Sequence, residues 1–135
     1  MIKYKRKDLK RILSKIKTIA IVGASPRPDR DSYLVMEALI NFGYEIFPVN
    51  PLFADTKILG RPCYPNLKDI KEKIDMVDIF RSKEFILGHT KEAIEINAEV
   101  LWVQEGLSVP SVANLTSNVS MVVVIDECPK KVLEA

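Results

Sequence analysis

The residues best suited to bind an anion crowd into IAIVGASPRPDRDSY, Ile19 to Tyr33. An apolar run ends at Gly23, a turn carries Ser25, Arg27 and Arg30, and an apolar-patterned segment restarts at Asp31 or Ser32. A strand that turns through glycine into a helix brings backbone N–H groups close to a ligand. The unpaired N–H groups of the helix's first turn add a partial positive charge. Gly23, Ala24 and Ser25 are therefore the expected phosphate loop. Arg27, Arg30, Lys57 and Arg81 are the cations on segments that leave strand ends, and arginine's planar fork suits phosphate.

The spacing does not fit the dinucleotide fingerprint G-x-G-x-x-G, because Ser25 and Arg27 or Pro28 stand where its second and third glycines would fall. The acid expected about 20 residues further on, to hold free ribose hydroxyls, is replaced by Asn50 and Pro51. Glu45 lies at the wrong end of its strand. A plain NAD site is disfavoured, and a nucleotide whose ribose carries phosphate fits the arginines better.

Catalytic groups are scarce. No nucleophile elbow, Ser-His-Asp set or paired carboxylates stand out. His89 falls in a helical segment and reads as a packed or half-exposed structural residue. Asp75, Asp78 and Asp126 read as strand-end and capping residues. Cys63 and Cys128 form no CxxC pair, and with a single histidine they leave too few soft ligands for zinc. No metal site is expected, and binding is favoured over catalysis.

The elements that must position these residues are short apolar runs alternating with helical patterns, the signature of βαβ units and a parallel sheet covered on both faces. Strands are expected at Thr18 to Gly23, Tyr44 to Asn50, Met76 to Arg81, Val100 to Gln104 and Ser120 to Asp126. Val35, Ala38, Leu39 and Phe42 mark a helix that Asp31 or Ser32 caps and Gly43 closes. A second helix covers Lys83 to Asn97. The stretch PLFADTKILGRPCYPNL reads as a long loop near the ligand edge, followed by a short helix in LKDIKEKI.

With 135 residues, 47% of them hydrophobic, the chain has room for one core and reads as a single domain over 1–135. A net charge of +2 gives no footprint for nucleic acid. Residues 1–16, MIKYKRKDLKRILSKI, read as an amphipathic helix packed on that domain, without the apolar centre of a signal peptide. TIAIVGA and MVVVI are too short to span a membrane. A cytoplasmic protein with no membrane partner is expected, and the open sheet edges suit a homodimer.

IAIVGAS with its following turn, GYEIFPVNP, ILGRPCYPNL, DMVDIFR and VLWVQEG together resemble the small CoA-binding domain proteins of bacteria and archaea. These are similar to the CoA-binding Rossmann domain of the succinyl-CoA synthetase alpha subunit. The resemblance covers roughly Ile12 to Gly106. It implies a single Rossmann-like, doubly wound α/β domain with a five-stranded parallel sheet that binds coenzyme A or an acyl-CoA as its cofactor. It also implies that Gly23, Ala24 and Ser25 meet the CoA phosphates, with Arg27 and Arg30 as charge partners. Val49, Asn50 and Pro51 would lie against the adenosine, Arg81 and Ser82 would border the nucleotide, and Gln104, Glu105 and Gly106 would meet the pantetheine arm. Cys63, in the long loop, reads first as a packed loop cysteine, and the sharper alternative is a thiol placed to exchange with that of CoA. Toward the carboxyl end the pattern departs, with Pro129 after Cys128 where the family has methionine. An NAD(P)-dependent oxidoreductase and a regulatory partner of an acyl-CoA ligase are the alternative readings.

Overall fold

The computed structural model describes residues 4–107 and 109–135. Strands β1 (Thr18–Val22), β2 (Glu45–Val49), β5 (Met76–Ile79), β6 (Val100–Gln104) and β7 (Val122–Glu127) form a parallel sheet in the order β2-β1-β5-β6-β7. A small antiparallel hairpin, β3 (Lys57–Ile58) with β4 (Arg61–Pro62), forms a second sheet beside β2, to which Tyr64 bridges. The sheet forms where the sequence is β-branched and apolar without alternation, as strands covered on both faces require. All of β5 and β6 is buried. Pro48, which donates no ladder hydrogen bond, is tolerated because β2 is an edge strand.

Helices α1 (Arg6–Ser14), α2 (Asp31–Asn41) and α5 (Pro129–Glu134) cover one face, where Leu9, Leu13, Met36 and Val132 join Ile19, Ile21, Met76 and Trp102. Helices α3 (Lys83–Glu95) and α4 (Ser111–Thr116) cover the other, where Ile86, Ala93 and Val112 join Ala20, Val77 and Leu101. The chain thus leaves β1 over one face and β5 over the other. The crevice beyond these two strands is the switch point at which open α/β sheets bind ligands.

Three local expectations are corrected. The described part of the first helix is Arg6–Ser14, shorter than the 1–16 expected; residues 1–3 lie outside the described set. LKDIKEKI is no helix but a single 3-10 turn, Leu67–Asp69. Its apolar residues Leu67, Ile70 and Ile74 repeat at i, i+3 and i+7, but they are sunk into the core as anchors of a strap. Finally, Arg30 rather than Asp31 or Ser32 occupies the cap of α2, with extended backbone and no side-chain cap.

Asp75 does sit at a strand end, where it ties two strands together. Its Oδ2 accepts the N–H groups of Lys17 at 2.8 Å and Thr18 at 3.2 Å, while Thr18 Oγ1 accepts the Asp75 N–H at 2.8 Å. Burial pushes this carboxyl up, but these hydrogen bonds and the Lys73 charge outweigh it, and the net displacement is downward. A depressed folded-state pKa stabilises above the unfolded value and is lost as pH falls through the folded one. Asp75→Ala is expected to cost about 1.5–3 kcal/mol at neutral pH and to flatten the acid limb of stability against pH, measured by denaturant titration between pH 2 and 6.

Candidate functional site

The turn after β1 is built on Gly23, whose φ is +88° and whose Cα lies against the chain leaving β5. A Cβ there would overlap the Phe80 carbonyl oxygen and come within 3.0 Å of Arg81 Cδ. Gly23 and Ala24 turn their N–H groups inward to Val49 O, at 2.9 and 3.3 Å. Those two donors are therefore spent on the neighbouring strand and not offered to a ligand. What the loop presents instead is the start of α2. With Arg30 supplying no side-chain cap, the N–H groups of Asp31 and Ser32 have no carbonyl one turn back to receive them.

Asn50 braces this turn. Its Nδ2 donates to Ala24 O at 2.9 Å and its Oδ1 accepts the Leu52 N–H at 3.0 Å, so the ends of β1 and β2 are locked to each other. Both polar ends of its amide are thereby used by the protein, which makes it a positioning residue. Cys63 belongs to the same brace. It is buried and its thiol donates to Asn50 O at 3.6 Å, with burial pushing its pKa up.

Around the switch point lies a cleft of about 690 Å³ lined by Gly23, Ser25, Arg27, Arg30, Asn50 and Arg81. Asp31 and Ser32, expected only as helix caps, complete the wall with Asp29, Leu52, Phe53 and Phe80. Three arginines against two aspartates leave a surplus of one positive charge at the cleft. Arg27 pairs with Asp29 at 3.7 Å, both exposed, a contact that water screens heavily. Arg81 lies 4.2 Å over the Phe85 ring, which holds its guanidinium in place. Leu52, 83% exposed, and Phe53 give the cleft an apolar rim at the end of β2. A signal for them was present in the sequence, since two large apolar residues stand three and four positions beyond a strand's carboxyl end.

Other expected residues fall elsewhere. Ala24 is buried behind the loop, and Val49 and Pro51 border a small pit of about 50 Å³ with Arg81 and His89. Ser82 is exposed and donates to Glu84 Oε1 at 3.2 Å. Lys57 is exposed on the hairpin and does not line the cleft. Gln104 and Glu105 line a second cleft of about 230 Å³, which also reaches Asp31 and Cys128. Gly106 lines neither cleft; its N–H donates to Asp126 Oδ1 at 2.7 Å, fixing the turn after β6. His89 is packed, its Nδ1 2.6 Å from Glu92 Oε1. Among the described residues no cluster of His, Cys, Asp and Glu could hold a metal, and no helix is long and apolar enough to cross a membrane.

Known proteins share this frame. YneT, an uncharacterized protein of Bacillus subtilis (strain 168), is 39% identical over 123 residues, or 91% of this chain and 90% of its own. The solved structure of a hypothetical protein from Pyrococcus horikoshii OT3 is 34% identical and matches with a TM-score of 0.90, covering 97% of this chain and 91% of that one. The alpha subunit of an ADP-forming acetate–CoA ligase I of Pyrococcus furiosus is 35% identical over 74 residues, 52% of this chain but 16% of that subunit. The profile of the CoA binding domain family matches residues 17–134, from the residue before β1 to the end of α5, and the chain belongs to that family.

Proposed function

We propose that the chain binds coenzyme A or an acyl-CoA at the switch point between β1 and β5, and performs no catalysis of its own there. The observation that carries this reading is the first cleft, where three arginines and the uncapped start of α2 converge. Arg27, Arg30 and Arg81 take the phosphates, with Ser25 and the first turn of α2 beside them. Leu52 and Phe53, next to Val49, Asn50 and Pro51, form the apolar ground for the adenosine. Gly23 and Ala24 shape the loop, and Ser82 holds the chain beyond Arg81. No histidine or cysteine is among the residues lining this cleft, and none there forms a nucleophile–base pair. The two free thiols, Cys63 and Cys128, agree with a cytoplasmic location, where thiols stay reduced.

Calorimetric titration at fixed salt with CoA, dephospho-CoA, NAD and NADP tests the reading. CoA is expected to bind, dephospho-CoA about tenfold more weakly, and Arg81→Ala to lose about tenfold toward CoA, the worth of one charge-assisted hydrogen bond. Heat from NAD or NADP with none from CoA would replace this reading with a dinucleotide site. The partial match to a ligase subunit favours one further role, as a partner of a separate acyl-CoA ligase chain. Copurification with such a chain is its test.

A further inference from the structure

We infer that the two clefts form one ligand path and that Cys128 meets its thiol end, exchanging there to form a mixed disulfide with the ligand. This rests on the CoA reading above. Asp31, at the first turn of α2, lines both clefts, so a ligand anchored at the arginines needs only to pass that residue to enter the second. Inside it, Gln104 is 5% exposed and its Oε1 has no hydrogen-bond partner among the described residues. A buried carbonyl left without a donor costs about 1–3 kcal/mol, and the N–H of an amide-bearing arm would satisfy it. Cys128 lines the same cleft with a free thiol. Beside it Glu105 pairs with Lys131, its Oε1 2.7 Å from Nζ. Cys63 lines neither cleft and spends its S–H on Asn50 O.

Thiol–disulfide exchange needs only a thiolate and a disulfide. Cys128 gives its proton to water, and its sulfur attacks one sulfur of the CoA disulfide. The Sγ–S bond forms as the S–S bond breaks, and the second CoA leaves as a thiolate that takes up a proton. The Cys128 sulfur rises by one oxidation level, from thiol to disulfide, as the released CoA sulfur falls by one, so no outside oxidant is needed. The protein then holds one CoA in a form that a reductant releases.

The test incubates the reduced full chain with CoA disulfide or, at equal concentration, with glutathione disulfide, and follows intact mass and peptide maps. One CoA is expected on Cys128, removable by dithiothreitol and blocked by excess adenosine 3′,5′-bisphosphate. It should form about tenfold or more faster than the glutathione adduct, because the bound nucleotide raises the local disulfide concentration. Cys128→Ser and Cys128→Ala, checked for folding by circular dichroism, should lose the adduct, and Cys63→Ser should keep it. Attachment at Cys63, equal rates for the two disulfides, or no adduct on a protein that gives heat with reduced CoA would overturn the inference. Absence of heat with reduced CoA itself would overturn the ligand reading and this inference together.

Discussion

Gly23→Ala is expected to cost about 2–5 kcal/mol and to abolish ligand binding in whatever fraction stays folded. About 1–2 kcal/mol comes from forcing a side chain into the left-handed region at φ +88°. A further 1–3 kcal/mol, roughly, comes from overpacking, because the new Cβ overlaps the Phe80 carbonyl oxygen and comes 2.9 Å from its carbon. Neither atom can swing aside, since Phe80 is itself held by its N–H to Val22 O at 2.8 Å. Relief requires the ends of β1 and β5 to separate, which displaces Arg81 and breaks the inward hydrogen bonds to Val49. Guanidinium denaturation gives the stability change, and titration with CoA reads the site. By contrast Gly60→Ala, on the hairpin where a Cβ meets nothing within 4 Å, carries the conformational penalty alone. Similar losses at the two positions would show that Gly23 matters for backbone strain and not for the close approach.

Asp78→Asn is expected to stabilise the protein, and more so as pH rises. Asp78 sits in the middle of β5 between Ile21 and Trp102, fully buried, and neither carboxyl oxygen has a partner among the described residues. Burial raises its pKa well above the ordinary carboxylate value. The sign follows from proton counting. Above the unfolded pKa of about 3.9 the unfolded chain releases this proton while the folded chain retains it. Stability from this group is therefore fully present below that value and falls by about 1.4 kcal/mol per pH unit as pH climbs toward the folded pKa. Asparagine keeps the shape without the ionisation, so the advantage of the variant should grow between pH 5 and 8 and reach about 2 kcal/mol or more. Paired denaturation curves across that range decide it, and parallel pH profiles for parent and variant would show that the carboxyl finds a stabilising partner. Asp75, whose displacement is opposite in sign, cancels in the difference.

These two carboxylates also mark how far the sequence could be read. Five strands were legible to within two residues at each end, because uninterrupted runs such as TIAIV and VLWVQ, punctuated by turn residues, admit few other structures. Asp75 was legible as a strand-end residue because it immediately precedes such a run. Asp78 was misplaced, since an acid three residues on suggests the strand's boundary when it in fact occupies the interior. The turn after β1 was legible in position but not in hydrogen bonding. Nothing in GAS tells that the first two N–H groups turn toward Val49, which depends on β2 lying alongside. Asn50 was expected at the ligand edge and lines the cleft, but its work as a brace depends on an Ala24 carbonyl 26 positions away. The hairpin was hidden because two-residue strands rich in proline and glycine carry no period. The second cleft was hidden because it unites Asp31, Gln104 and Cys128 only after folding.

The two ends of the chain close the same face of the sheet. Arg6 Nη1 donates to Lys131 O at 3.3 Å and Lys10 Nζ to Ala135 O at 2.9 Å, each across 125 positions, and Tyr4 clasps β7 through Val123 O and the Ile125 N–H. Such a seam offers little return until the intervening loop has been closed, whereas β1, β2 and β5 join over shorter separations. It is accordingly a late event in folding and an early one in opening. Amide protons of α1 and α5 should exchange with solvent through partial openings that leave the central strands protected. The face that carries the buried acid thus owes its dryness to the most distantly joined, and first released, part of the molecule.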